Sequence, residues 1–276
     1  MRINNNVSAL NAWRNLYLND TSLTKSMEKL SSGYRINRAG DDAAGLAISE
    51  KMRAQISGLN MAIKNAQDGI SLIQTAEGAL NEQQVIIRRI RDLAIQAAND
   101  TNTDSDRLKL QDEVSQLVAE LNRIADTTQF NGKTLFTGKF SGTNGLVFHI
   151  GANSGQTLTV SINRMRATAL HSSLTDDFSI STQSSAEAAI GVLDKALDKV
   201  SEQRSKLGAV QNRLEHTINN LQVAAENLTA SESRIRDVDV ALETTNFVKN
   251  QILVQAATAM LAQANVKPQS VLQLLG

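Results

Sequence analysis

The sequence predicts a mostly α-helical protein: a long antiparallel coiled-coil helical bundle carrying one β-hairpin, with the two termini paired to each other. Three observations predict it. Apolar residues recur at steps of three and four over stretches much longer than an ordinary globular helix. A single proline, Pro268, stands in 276 residues, so little interrupts those helices. The period changes to two only near Leu146 to Ile162.

The first helix is predicted from Ile3, Val7, Leu10, Trp13, Leu16, Tyr17, Leu23, Met27 and Leu30. Ser31 to Gly45 then holds three glycines, paired serines and paired aspartates, which break the pattern and lead into a new helix with Asp41 or Asp42 as its N-cap. From Met52 a heptad runs through Leu59, Ala66, Ile73, Leu80, Ile87 and Ala94, with Ile56, Ile63 and Ile70 at its second position. That second position turns polar at Glu77, Gln84 and Arg91 while Leu72, Ala79, Ile86, Ile90 and Leu93 take over. Such drift follows from 3.6 residues per turn and moves the buried seam around the helix. The helix should end near Asn99 to Asn102, and a shorter one follows with Leu110, Val114, Leu117, Leu121 and Ile124 in one stripe.

After Phe130-Asn131-Gly132 the period shortens. Leu146, Phe148 and Ile150 alternate with Val147 and His149, and Leu158, Val160 and Ile162 alternate with Thr and Ser. The polar loop 151–156 between them makes a β-hairpin. Residues 172–185 read as a Ser/Thr/Asp-rich connector. A third long helix runs from about Ala186 through Leu193, Val200, Leu207, Leu214 and Leu221 to Leu228. The charged stretch 231–239 separates it from the last helix, which Pro268 should close. Ala241, Val248, Ile252, Ala256, Ala259 and Val266 form one stripe there, and Leu253, Ala257, Met260, Leu261 and Ala264 form another beside it. This helix is apolar over more than half its girth, which one partner helix cannot cover. Each terminus is therefore expected to pair with the other, and the surplus apolar surface to seek further copies of the chain.

Composition narrows the function. Lys plus Arg equals Asp plus Glu at 28 each, a balance that points to neither nucleic acid nor a membrane surface. The chain has no cysteine, which excludes disulfides, thiolate metal sites and a cysteine nucleophile. It also fits a protein that leaves the cell without redox folding. Met1 to Asn6 lacks the apolar segment of a cleaved signal, and no apolar run is long enough to span a membrane. His149, His171 and His216 stand in no ligand spacing. Gly132-Lys133-Thr134 resembles the end of a phosphate loop, but Thr127 occupies the position of its first glycine. No nucleophile elbow or triad spacing occurs. The expectation is a non-enzymatic protein without metal or cofactor.

Several long segments resemble bacterial flagellin: LSSGYRINRAGDDAAGLAIS from Leu30 to Ser49, QDGISLIQTAEGAL from Gln67 to Leu80, LGAVQNRL from Leu207 to Leu214, ENLTASESRIRD from Glu226 to Asp237, and MLAQAN from Met260 to Asn265. The resemblance covers nearly the whole chain. It implies a subunit that assembles head-to-tail into the helical, extracellular flagellar filament for motility, exported unfolded and polymerised at the tip. It also implies a discontinuous inner terminal coiled-coil domain (1–45 and 236–276), and an elongated helical bundle (46–235) with its hairpin at about 130–166. The variable outer domains of larger family members have no counterpart in the sequence. On this reading Ile3, Val7, Leu10, Leu23, Met27, Leu30, Val248, Ile252, Leu253, Met260 and Leu261 pack in the filament core.

The implied partners are other copies of the chain, an export chaperone on the last helix, the secretion apparatus, and the filament cap and hook-associated proteins. Arg89 to Ala94 is similar to the segment read by the vertebrate flagellin-sensing toll-like receptor, which implicates Arg89, Leu93 and Glu113 as contacts. Asp92 stands where the pattern usually has Glu, and Gly276 where it usually ends in Arg. The alternative is a hook-filament junction protein, which shares such termini but caps rather than propagates. Because the terminal helices cannot bury their apolar faces alone, the isolated subunit should hold them weakly and order them on assembly.

Overall fold

The computed structural model describes residues 6–175 and 178–275, with side chains in the last helix described to Val266. Ile3 lies outside the described residues. The described chain is dominated by helices: α1 (Val7–Ser32), α2 (Ala43–Ala98), α3 (Asp104–Thr127), the single turn α4 (Ala167–Leu170), α5 (Gln183–Arg236) and α6 (Val240–Leu275). Two antiparallel strand pairs, β1 (Gln129–Phe130) with β2 (Lys133–Thr134) and β3 (Leu146–His149) with β4 (Thr157–Val160), complete it. The chain divides into two compact units, 1–54 with 226–276, and 55–225.

In the first unit α1 and α6 pack antiparallel. Asn6 caps α1 by accepting from the Ala9 amide at 3.1 Å, and its own side-chain amide donates to the Ala264 carbonyl at 2.8 Å. At the far end Gly33 adopts the left-handed conformation with φ +75°, and its amide returns to the Lys29 carbonyl at 2.9 Å. A short antiparallel bridge then ties the loop to the chain between α5 and α6. Arg35 donates its backbone amide to Arg236, Val238 donates to Gly33, and Tyr34 faces Asp237. The Arg236 guanidinium lies 4.8 Å over the Tyr34 ring and 2.6 Å from Glu50. Of the two aspartates expected as caps, Asp42 caps α2 by accepting from the Gly45 amide. Asp41 instead accepts from the Asn37 and Arg38 amides and folds the loop on itself.

The second unit holds the large core. The predicted heptad is buried from Leu59 through Ala66, Ile73, Leu80 and Ile87 to Ala94. Leu72, Ala76, Ile90, Leu93 and Ala97 join it as the seam drifts. They face Val114, Val118, Leu121 and Ala125 of α3 and Ala189, Leu193, Val200, Leu207 and Leu214 of α5 in one cluster. The polar residues that appear along the drift meet α5: Arg204 donates to Gln84 and pairs with Glu77, and Arg91 pairs with Asp194. β3 and β4 pair in the register Leu146↔Val160, with Leu146, Leu158 and Val160 turned inward. Phe148 lies against α2 where Gly69 leaves room: a Cβ there would approach its ring to 3.3 Å.

The structure corrects one expectation and adds to two others. Pro268 does not close the last helix, which continues to Leu275; the surrounding turns carry it past the missing amide. Besides the expected hairpin, the described residues hold a second, two-residue strand pair. Asn131 (φ +48°) and Gly132 (φ +75°) both take positive φ, and so join β1 to β2 as a two-residue turn. The connector before α5 is packed: Leu174, Phe178 and Ile180 belong to the core.

Candidate self-assembly surface

The least exposed positions of α1 run Ala9, Ala12, Leu16, Asn19, Leu23, Ser26 and Leu30. On α6 they run Glu243, Phe247, Asn250, Val254, Ala257, Leu261 and Ala264. Both series alternate steps of three and four, the spacing that keeps one seam facing a partner helix. This seam is narrow, and much apolar surface lies outside it. Leu10 is 62% exposed, Ile252 58% and Met260 64%. Val7, Trp13, Tyr17, Leu18 and Met27 on α1, and Val240, Leu242, Val248, Leu253 and Val266 on α6, are also exposed. Trp13 and Tyr17 stack with ring centroids 6.1 Å apart on that outer face. Ile36 is the one apolar side chain fully buried among the described residues of this unit.

The terminal residues expected to pack in an assembly thus separate into two groups. Leu23, Leu30 and Leu261 are half-buried in the seam, whereas Val7, Leu10, Met27, Val248, Ile252, Leu253 and Met260 point away from it. Scattered exposed apolar residues are ordinary, but contiguous rows on two adjoining helices mark an interaction surface. Among the described residues no helix is long and apolar enough to cross a membrane. No group of three His, Cys, Asp or Glu side chains there is placed to hold a metal ion.

In the second unit, Arg89 and Glu113 are brought together across α2 and α3. The guanidinium donates from Nε at 2.9 Å and lies 2.8 Å away through Nη2, with both side chains exposed. Leu93 is not on that surface. It is 1% exposed and belongs to the core, because one turn beyond Arg89 the drifting seam has already rotated it inward. Sequence reasoning missed the Asn19 and Asn250 positions in the α1/α6 seam. Their signal was a polar residue in each three-and-four series, hidden on α6 by an apolar surface that covers more than half its girth.

The profile of the bacterial flagellin N-terminal helical region matches residues 3–141, and that of the bacterial flagellin C-terminal helical region matches 190–275. Flagellin of Halalkalibacterium halodurans is 55% identical over 275 residues, and flagellin of Bacillus subtilis 53% identical over 303. Each alignment covers 100% of both chains. A crystal structure of Bacillus cereus flagellin is 34% identical, covers 61% of this chain and 94% of that one, and superposes with a TM-score of 0.51. The antiparallel terminal helices, the heptad-patterned bundle and these full-length similarities together place the chain in the bacterial flagellin family.

Proposed function

We propose that this chain is the structural subunit of a helical flagellar filament, exported unfolded and added at the growing tip outside the cell. The observation that carries the reading is the pair of outward apolar rows on α1 and α6. One chain covers only the seam between these helices, and identical copies supply the missing partners. Head-to-tail contacts with a rotation that does not close yield an open helix, the geometry a filament needs. The residues proposed for the filament core are Ile3, Val7, Leu10, Leu23, Met27, Leu30, Val248, Ile252, Leu253, Met260 and Leu261. The proposed functional division follows the sequence, with 1–45 and 236–276 as the inner terminal domain and 46–235 as the helical bundle with its hairpin.

An export chaperone is the proposed partner of the apolar α6 before assembly, and the filament cap and hook-associated proteins are the proposed partners at the ends. Recognition by a vertebrate toll-like receptor is proposed through the exposed Arg89–Glu113 pair, with Leu93 acting from beneath by holding α2 in place. Electron microscopy of the concentrated protein tests the central reading. Filaments that lengthen without limit are expected. Growth that stops at short, capped assemblies would favour the hook-filament junction alternative, and a protein that stays monomeric would defeat both.

A further inference from the structure

The face of α6 turned toward α1 is not its most apolar one. It carries Glu243 and Asn250, whereas Ile252, Leu253 and Met260 face outward. Burial alone would rotate α6 about its axis and put one of those rows into the seam. The register is fixed at both ends, by the Asn6 to Ala264 hydrogen bond and by the Val238 to Gly33 hydrogen bond. Counting inward from either end brings Asn19 of α1 level with Gln251 or Ile252 of α6, within one or two residues of Asn250, the seam position there. Asn19 and Asn250 are both half-buried, and a matched polar layer inside an apolar seam is the device by which coiled coils select register at a cost in stability.

We infer that Asn19 and Asn250 are specificity-determining residues of the terminal pairing: they choose which face of α6 meets α1, and so keep the Ile252, Leu253 and Met260 faces free for sister subunits. The reason lies in unequal penalties. An Asn opposite an Asn at a half-buried level retains partners for its amide, in each other or in water. With Ile252 or Leu253 turned into the seam instead, Asn19 would face an apolar side chain and lose them. The inference rests on the filament reading for its purpose, but the pairing it describes is intramolecular and can be measured separately.

The chain has no cysteine, so introduced pairs report cleanly. Ala12 and Ala257 lie in the seam within one or two residues of the same level, while Ala256 is exposed on a neighbouring face. Full-length Ala12→Cys/Ala257→Cys and Ala12→Cys/Ala256→Cys proteins would be oxidised under assembly conditions and scored for intramolecular disulfide on non-reducing gels. The seam pair is expected to close in preference by about tenfold, which corresponds to about 1.4 kcal/mol between the two faces. In an Asn19→Leu/Asn250→Leu background that preference should vanish while helix content stays the same or rises, because two apolar residues replace a polar layer. Undiminished preference in the leucine background would overturn the inference, as would equal closure of both pairs without the leucine changes. Sedimentation of the unmodified protein reports the filament reading independently: absence of polymer there, with selective cross-linking intact, would defeat that reading alone.

Discussion

The Arg107 Nε donates to the Ala97 carbonyl at 3.0 Å, so a side chain from α3 closes the end of α2. The same guanidinium donates to the Asn99 carbonyl and pairs with Asp104, although Arg107 itself is buried. The last carbonyls of a helix lack intrahelical partners, and cations are favoured at that end of the dipole. Arg107→Ala should therefore lower the stability of the second unit by about 1–3 kcal/mol, the cost of leaving a buried polar group without its partner. Arg107→Lys should recover only part, because a single ammonium cannot reproduce the fork that spans Ala97, Asn99 and Asp104. Denaturant unfolding followed by circular dichroism reads both values.

Gly69 on α2 sets how closely the β3–β4 hairpin can lie. A Cβ at that position would stand 3.3 Å from the Phe148 ring and 3.4 Å from Leu214. Gly69→Ala should be close to neutral, since better helix propensity offsets mild crowding. Gly69→Leu should cost about 1–3 kcal/mol by overpacking. A leucine variant that melts like the wild type would show that the hairpin moves away at no cost.

The Asp41 carboxyl titrates below the usual carboxylate range, chiefly because the Arg38 backbone amide donates to it, then the Asn37 amide, with Lys29 and Lys25 adding favourable charge. A depressed folded value means that the ionised form holds the loop. Its stabilisation is present above the ordinary aspartate value of about 3.9 and is lost as pH falls through the lower folded value. A carboxyl titration by NMR should place Asp41 below the ordinary aspartate value. The loop amides of Asn37 and Arg38 should shift together with it.

The long helices were legible because each carries many turns of one period, and of the residues the drift along α2 brought forward Leu72, Ile90 and Leu93 are buried, Ala79 and Ile86 half-buried, while Ala76 and Ala97 were missed. The polar residues of that drift were visible, but their partners were not: Arg204 and Asp194 lie more than a hundred residues away in the chain. The Asn131-Gly132 turn carried a strong local signal, yet strands of two residues are too short to show alternation. Leu174, Phe178 and Ile180 pack at irregular intervals, so periodicity could not distinguish that stretch from a linker. On α6 the limitation is physical. A helix apolar over more than half its girth does not declare which face meets its partner, so the division of its residues between seam and outer face emerged only with the fold.

That division makes the outer face separable from the pairing. Ile252 is exposed and lies off the seam, so Ile252→Asp should leave the fold of the second unit intact and remove polymerisation, whereas Ala257→Asp should also disrupt the α1/α6 pair. Hydrogen exchange distinguishes the two levels. In dilute protein, amides of α1 and α6 are expected to exchange rapidly, because a narrow seam offsets little of the conformational entropy of two long helices. Amides around Ile73, Leu80 and Ile87 should be protected under the same conditions. On concentration, α1 and α6 should gain protection in the wild type and not in Ile252→Asp, since ordering there is linked to binding of further copies. Strong protection of both terminal helices in dilute wild-type protein would show that one chain suffices to hold them, and the coupling of terminal order to assembly would have to be abandoned.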